Sequence, residues 1–70
     1  MYSFLKKLQK NDHIRRYSIQ TTESGWEVRE EQDTELVRHS RYQDWHRVER
    51  ARLAFTLKLD VLREDGWRDI

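Results

Sequence analysis

The hydrophobic pattern of this chain changes period more than once. In residues 1–13, Tyr2, Leu5 and Leu8, with Phe4 beside them, fall at roughly helical spacing until Asn11-Asp12 breaks the run. The spacing predicts a short basic amphipathic helix or arm, too short to be stable unless it docks on something. From Ile14 to Thr21 the pattern alternates, Tyr17, Ile19 and Thr21 on one side and Arg16, Ser18 and Gln20 on the other, which predicts a half-buried strand. Thr22-Glu23-Ser24-Gly25 reads as a hairpin loop. Trp26, Val28 and Glu30 against Glu27, Arg29 and Glu31 predict a second strand. After a polar turn at Gln32 to Thr34, Leu36 to Tyr42 predicts a third, with an aliphatic and an arginine on each face.

The longest periodic stretch runs from Asp44 to Gly66, with no glycine or proline inside it. Asp44 suits the N-cap, where a carboxylate accepts from free first-turn N–H groups and complements the helix dipole. Gly66 suits the left-handed position after the helix, and Trp67 would then press back on Leu62 in a Schellman motif. At 100° per residue, Val48, Ala51, Phe55, Leu59 and Leu62 share one narrow stripe, with Trp45 at its edge. Leu53, Ala54, Leu57 and Val61 fall on nearly the opposite side. One sheet covers only one of these stripes. The second predicts a contact seam, to be filled by the N-terminal segment, by a second copy of the helix or by another protein.

The expected fold class is therefore α+β: a three-stranded antiparallel meander followed by one long C-terminal helix packed on one face, preceded by the segment 1–13, with 14–70 as a single domain. The expected core joins Tyr17, Ile19, Trp26, Val28, Leu36 or Val37, and Tyr42 to the first helical stripe and Trp67. On this reading the strands are shorter than the helix, which overhangs them.

Composition narrows the function. Seventy residues, 39% of them charged and none cysteine, make one small domain with no disulfide staple. No apolar run approaches membrane-spanning length. The segment MYSFLKKLQK is too short and too broken by lysine for a signal peptide. A cytoplasmic location is the expectation, with no membrane partner. Charge alternates in blocks. Residues 1–16 carry five cations and Asp12, residues 17–35 six acids and Arg29, residues 36–52 five arginines against Asp44 and Glu49, and the rest is close to balanced. Such alternation is what neighbouring strands produce when acids pair with bases across a solvated face.

Candidate chemistry is sparse. Asp44, His46 and Glu49 imitate carboxylate–histidine spacing, but a metal site needs at least three ligands and would have to recruit His39 from a strand. Asp44 reads better as a cap and Glu49 as a surface partner of Arg52 or His46. With two glycines there is no phosphate loop, and no cysteine or glycine-flanked serine offers a nucleophile. Neither an enzyme nor a bound cofactor or metal is expected.

Nucleic acid is the second reading. Arg38, Arg41, Arg47, Arg50 and Arg52 interleave with Tyr42 and Trp45, the mixture of cations and aromatics that single-strand binders use. The strand-meander-then-helix order, with its Gly-aromatic step, also resembles in outline the WGR domain and the helix-capped sheets of the Whirly and PUR type, which bind nucleic acids. The resemblance is one of topology. The Trp-Gly-Arg step is absent, with Gly25-Trp26-Glu27 in its place, and the expected sheet is a strand short, so no residue is carried over.

The first expectation is a non-catalytic interaction module that forms a homodimer through Leu53, Ala54, Leu57 and Val61, with Phe4, Leu5 and Leu8 covering part of the seam.

Overall fold

The structure, a computed structural model, describes residues 2–70. Strands β1 (Ser3–Lys10), β2 (His13–Thr22), β3 (Gly25–Gln32) and β4 (Glu35–Tyr42) form an antiparallel meander, followed by helix α1 (Trp45–Glu64) and the two-residue strand β5 (Arg68–Asp69). The sheet order is β4-β3-β2-β1-β5. The fold class is α+β with one C-terminal helix, as expected, but the sheet has five strands rather than three.

Two strands are additional, and the longer of them, β1, comes from the segment expected to form a helix or arm. Tyr2, Phe4, Lys6, Leu8 and Lys10 alternate toward α1, and Ser3, Leu5, Lys7 and Gln9 point away. Phe4 pairs with Ile19, Lys6 with Tyr17 and Leu8 with Arg15 across the β1–β2 ladder. Lys6 breaks the apolar alternation in the middle of the strand, and Leu5, on the outer face, supplies the false helical spacing. Tyr2 is tied in as well: its N–H donates to Thr21 Oγ1 at 3.0 Å, and that hydroxyl donates to the Tyr2 carbonyl at 2.8 Å.

Leu8, Tyr17, Ile19 and Val28 form the sheet's share of the core, and Val48, Ala51, Phe55, Leu59 and Leu62 the helix's share. The first helical stripe is thus buried residue for residue. Phe55 stacks on Phe4 and meets Tyr17 edge-on, with centroids 6.3 and 5.0 Å apart. Trp45 packs against Tyr2 and Trp26 at one end of the sheet. Leu36 and Val37 are both exposed, so neither joins the core. β4 is an edge strand, and a register shift opposite Glu30 and Glu31 puts Leu36 across from Glu31, on the face away from the helix.

Both helix ends are fixed as their sequence implies. Asp44 accepts the His46 N–H at 3.0 Å. At the other end the Trp67 N–H donates to the Leu62 carbonyl at 3.0 Å and the Gly66 N–H to that of Arg63 at 3.1 Å, the two bonds of a Schellman motif. The motif turns Trp67 inward, and the chain then reaches β1 as β5, where the Ile70 N–H donates to the Lys7 carbonyl at 3.1 Å. Arg63 clasps Asp69 with two hydrogen bonds of 2.8 and 2.9 Å, and Lys10 donates to the Asp65 carbonyl at 2.6 Å. Ten residues of β2 span about 33 Å and twenty of α1 about 30 Å, so the helix crosses the sheet without overhanging it.

Gly25 is a position that only glycine fits. Its φ is +150°, and a Cβ there would collide with the carbonyl oxygen of Tyr42, where the end of β4 passes close to the β2–β3 hairpin. Gly25→Ala should therefore cost about 2–3 kcal/mol, from a disfavoured backbone and an overpacked contact. Urea unfolding should show an earlier midpoint with an unchanged slope.

Candidate functional site

The second helical stripe is bare. Leu53, Leu57 and Val61 are 58, 59 and 63% exposed, and Ala54 beside them is exposed too. The N-terminal residues expected to cover this seam are elsewhere. Leu8 is fully buried under the helix, Phe4 packs against the core, and Leu5 lies on the far face of the sheet. As a strand between β2 and β5, β1 cannot reach the outer side of α1. The seam therefore has no occupant within residues 2–70.

The flanks of the seam carry a signal that apolar spacing alone did not reveal. Arg50, Ala54, Leu57, Val61 and Glu64 are spaced four, three, four and three residues apart, the alternation of a helix-pairing seam, with Leu53 alongside. The seam is thus basic at its start and acidic at its end. Neither Arg50 nor Glu64 takes part in an ion pair among the described residues.

The outer face of the sheet is treated differently. There Glu27 of β3 gathers His39 at 3.2 Å, Arg41 at 3.5 Å and Arg29 at 3.6 Å. The His39 side chain first, then Arg29 and Arg41, hold the Glu27 carboxyl below the usual carboxylate range. Arg29 Nε lies 3.6 Å from Glu31, an ion-pair distance too long for a hydrogen bond. The acidic third strand and the basic fourth are thus matched across a solvated surface. At one corner, Asp33 accepts the Ile14 N–H at 2.9 Å and lies 3.0 Å from His13 Nδ1, which closes the β3–β4 turn onto β2. The Ile14 backbone first, then His13, lowers the Asp33 pKa.

The five arginines of the second reading separate in space. Arg41 is committed to Glu27 on the outer sheet face. Arg52 lies high on the helix, beside His46, Glu49 and Leu53. Arg38, Arg47 and Arg50 come together in a groove of about 380 Å³ between α1 and β4, with Tyr42 on one wall and Ala51 and Ala54 along the helix side. Hydrogen bonding with the Ser40 side chain first, then Arg38 and Arg47, lowers the pKa of the Tyr42 hydroxyl.

The histidine–carboxylate spacing does not assemble into a site. Asp44 is the N-cap, Glu49 accepts from Trp45 Nε1 at 2.7 Å, and His39 sits on the opposite face of the sheet with Glu27. Under the helix, Lys58 reaches the buried Glu30 at 2.6 Å, and that pair is a brace between α1 and β3. No helix among the described residues is long and apolar enough to cross a membrane. No protein-family model, curated protein or solved structure matches the chain.

The lowered pKa values of Glu27, Asp33 and Asp69 carry a pH consequence, Asp69 being held down chiefly by Arg63. A carboxyl whose folded pKa lies below its unfolded value adds stability that is complete above the unfolded value, about 4 for these side chains. That stability is lost as the pH falls through the folded value. Chemical stability should therefore be level from neutral pH down to about 5 and decline below about 4. Asp33→Asn, which keeps an acceptor for Ile14 but no charge, should flatten part of that decline.

Proposed function

We propose that this chain is a non-catalytic interaction module that pairs with a second copy of itself through the outer face of α1. What supports the reading is that the exposed stripe is complementary to its own reverse. With the helices antiparallel about a two-fold axis through Leu57, Leu57 meets its counterpart, Leu53 meets the partner's Val61, and Arg50 meets the partner's Glu64. Both apolar and charged positions are then matched by a single register. A parallel pair would set Arg50 beside Arg50 and Glu64 beside Glu64, and the repulsion disfavours it.

The small size of the chain favours the same conclusion. A single helix on a five-stranded sheet gives a core one layer deep, and association is one route by which so small a domain gains buried surface. Ala54 keeps part of the seam low enough for close approach of two helices, which typically pack with axes 8–10 Å apart. The module leaves the rest of each protomer's surface free for further partners.

Sedimentation equilibrium over a range of concentrations tests the proposal, with a dimer expected. Leu57→Glu removes two apolar side chains from a symmetric interface, each worth about 1.5–3 kcal/mol, so association should weaken by at least about 100-fold while the fold is retained. Arg50→Glu alone should also weaken the dimer, and adding Glu64→Arg should restore it. A wild-type monomer at every concentration, or a mass indifferent to Leu57→Glu, would contradict the proposal. Failure of the double change to restore association would rule out the antiparallel register.

A further inference from the structure

We infer that the groove between α1 and β4 is a binding site for single-stranded nucleic acid, built within one protomer and adjoining the helix seam, with which it shares Arg50 and Ala54. The groove has two walls, with Arg38 on β4 facing Arg47 and Arg50 on α1 and Tyr42 between them. Neither Arg38 nor Arg47 has a carboxylate partner among the described residues, and each acid of β3 is engaged elsewhere, Glu27 by His39, Arg41 and Arg29, Glu31 by Arg29 and Glu30 by Lys58. Two unpaired cations, with Arg50 beside them at the seam's edge, raise the local positive potential of a narrow cleft, and such a site draws an anion.

The shape favours a polymer over a single small anion. At Tyr42 and Arg47 the groove continues into a second cleft of about 550 Å³, which runs past Trp26 and Arg41 to the β2–β3 hairpin. From Arg38 to Tyr42 alone, β4 covers about 13 Å. Along this path Arg38, Arg47 and Arg50 lie beside Tyr42 and Trp26, and the one acid on the lining, Asp44, caps α1, so phosphates can be met by guanidinium groups while bases lie against Tyr42 and the partly buried Trp26. Guanidinium groups suit phosphate because their planar fork of donors matches its oxygens. Guanidinium groups and aromatic rings supply charge contacts and stacking, so the site is expected to read backbone charge and base faces rather than sequence.

Contact with two or three phosphates sets the expected salt dependence. At a slope of about 0.7 per phosphate for single strands, three contacts weaken binding about 20-fold between 50 and 200 mM salt. Fluorescence anisotropy of a labelled oligothymidylate measures this. Wild-type protein is expected to bind at low salt, with affinity falling on that slope. Arg38→Glu with Arg47→Glu should abolish binding, and both sites are exposed, so circular dichroism should be unchanged. Arg68→Glu, on the outer sheet face, should bind like the wild type. Tyr42→Leu should weaken binding while leaving the salt slope as it was, the signature of lost stacking. Leu57→Glu frees Arg50 from the partner's Glu64 and should bind at least as tightly per protomer, so loss of the dimer and loss of the groove give different results. Absence of binding at low salt, or equal binding by the Arg38/Arg47 variant, would overturn the inference. So would preference for a duplex of the same length.

Discussion

A single helix has to close the whole inner face of the sheet, and the rest of the structure follows from how that is done. Val48, Ala51, Phe55, Leu59 and Leu62 use up the inward stripe of α1, and Tyr17, Ile19, Val28 and Leu8 meet them from below. With one layer of side chains between sheet and helix, the position of the helix ends matters as much as the packing at its middle. One end is set by the Asp44 cap and the cluster of Trp45, Tyr2 and Trp26. The other is set by the Schellman turn, the Arg63–Asp69 clasp and Lys10. Two large surfaces are left over. The outer sheet face scatters its exposed aliphatics, Leu5, Ile14 and Leu36, over separate strands among paired acids and bases, whereas the outer helix face sets Leu53, Leu57 and Val61 in one row in water. That contrast is the reason for placing an interaction on the helix.

The helix was legible in the sequence because its signals agree. Cap, period, glycine stop and the aromatic after it all specify the same boundaries, and consistency across levels is what makes an element readable. Strands β2 and β3 were legible for the same reason. β1 was not, because Lys6 stands at an inward position beside Tyr17 and Leu5 at an outward one. A lysine can occupy such a place at the margin of a core, with its stem covering apolar surface and its charge in water. β5 has two residues and no pattern of its own; it exists because the turn at Gly66 and the Arg63–Asp69 clasp deliver the chain to β1. The burial of β4 was unreadable because the shift opposite Glu30 and Glu31 changes which residues face the helix halfway along the strand.

The candidate sites divide along similar lines. Leu53, Leu57 and Val61 were identifiable as a seam from period alone, since a position on a helix face needs only the count of residues. Whether the chain covers its own seam depended on where residues 2–10 go, which is a tertiary fact. The five arginines could not be sorted without the sheet. Arg38 and Arg41 are three apart on one strand, so they point to opposite faces, one toward Tyr42 and the groove and the other toward Glu27. Charge composition alone treats them as equivalent.

The proposed two-fold axis places residue 57 of one protomer against residue 57 of the other, and the chain has no cysteine to confuse a cross-link. The most direct measurement is therefore oxidation of a Leu57→Cys variant, compared with Arg52→Cys as a position off the seam. Disulfides form only when the two Cα atoms come within about 7 Å of each other. A covalent dimer is expected in high yield for Leu57→Cys at protein concentrations where Arg52→Cys stays monomeric. Equal cross-linking of the two, or none in either, would contradict the proposed axis.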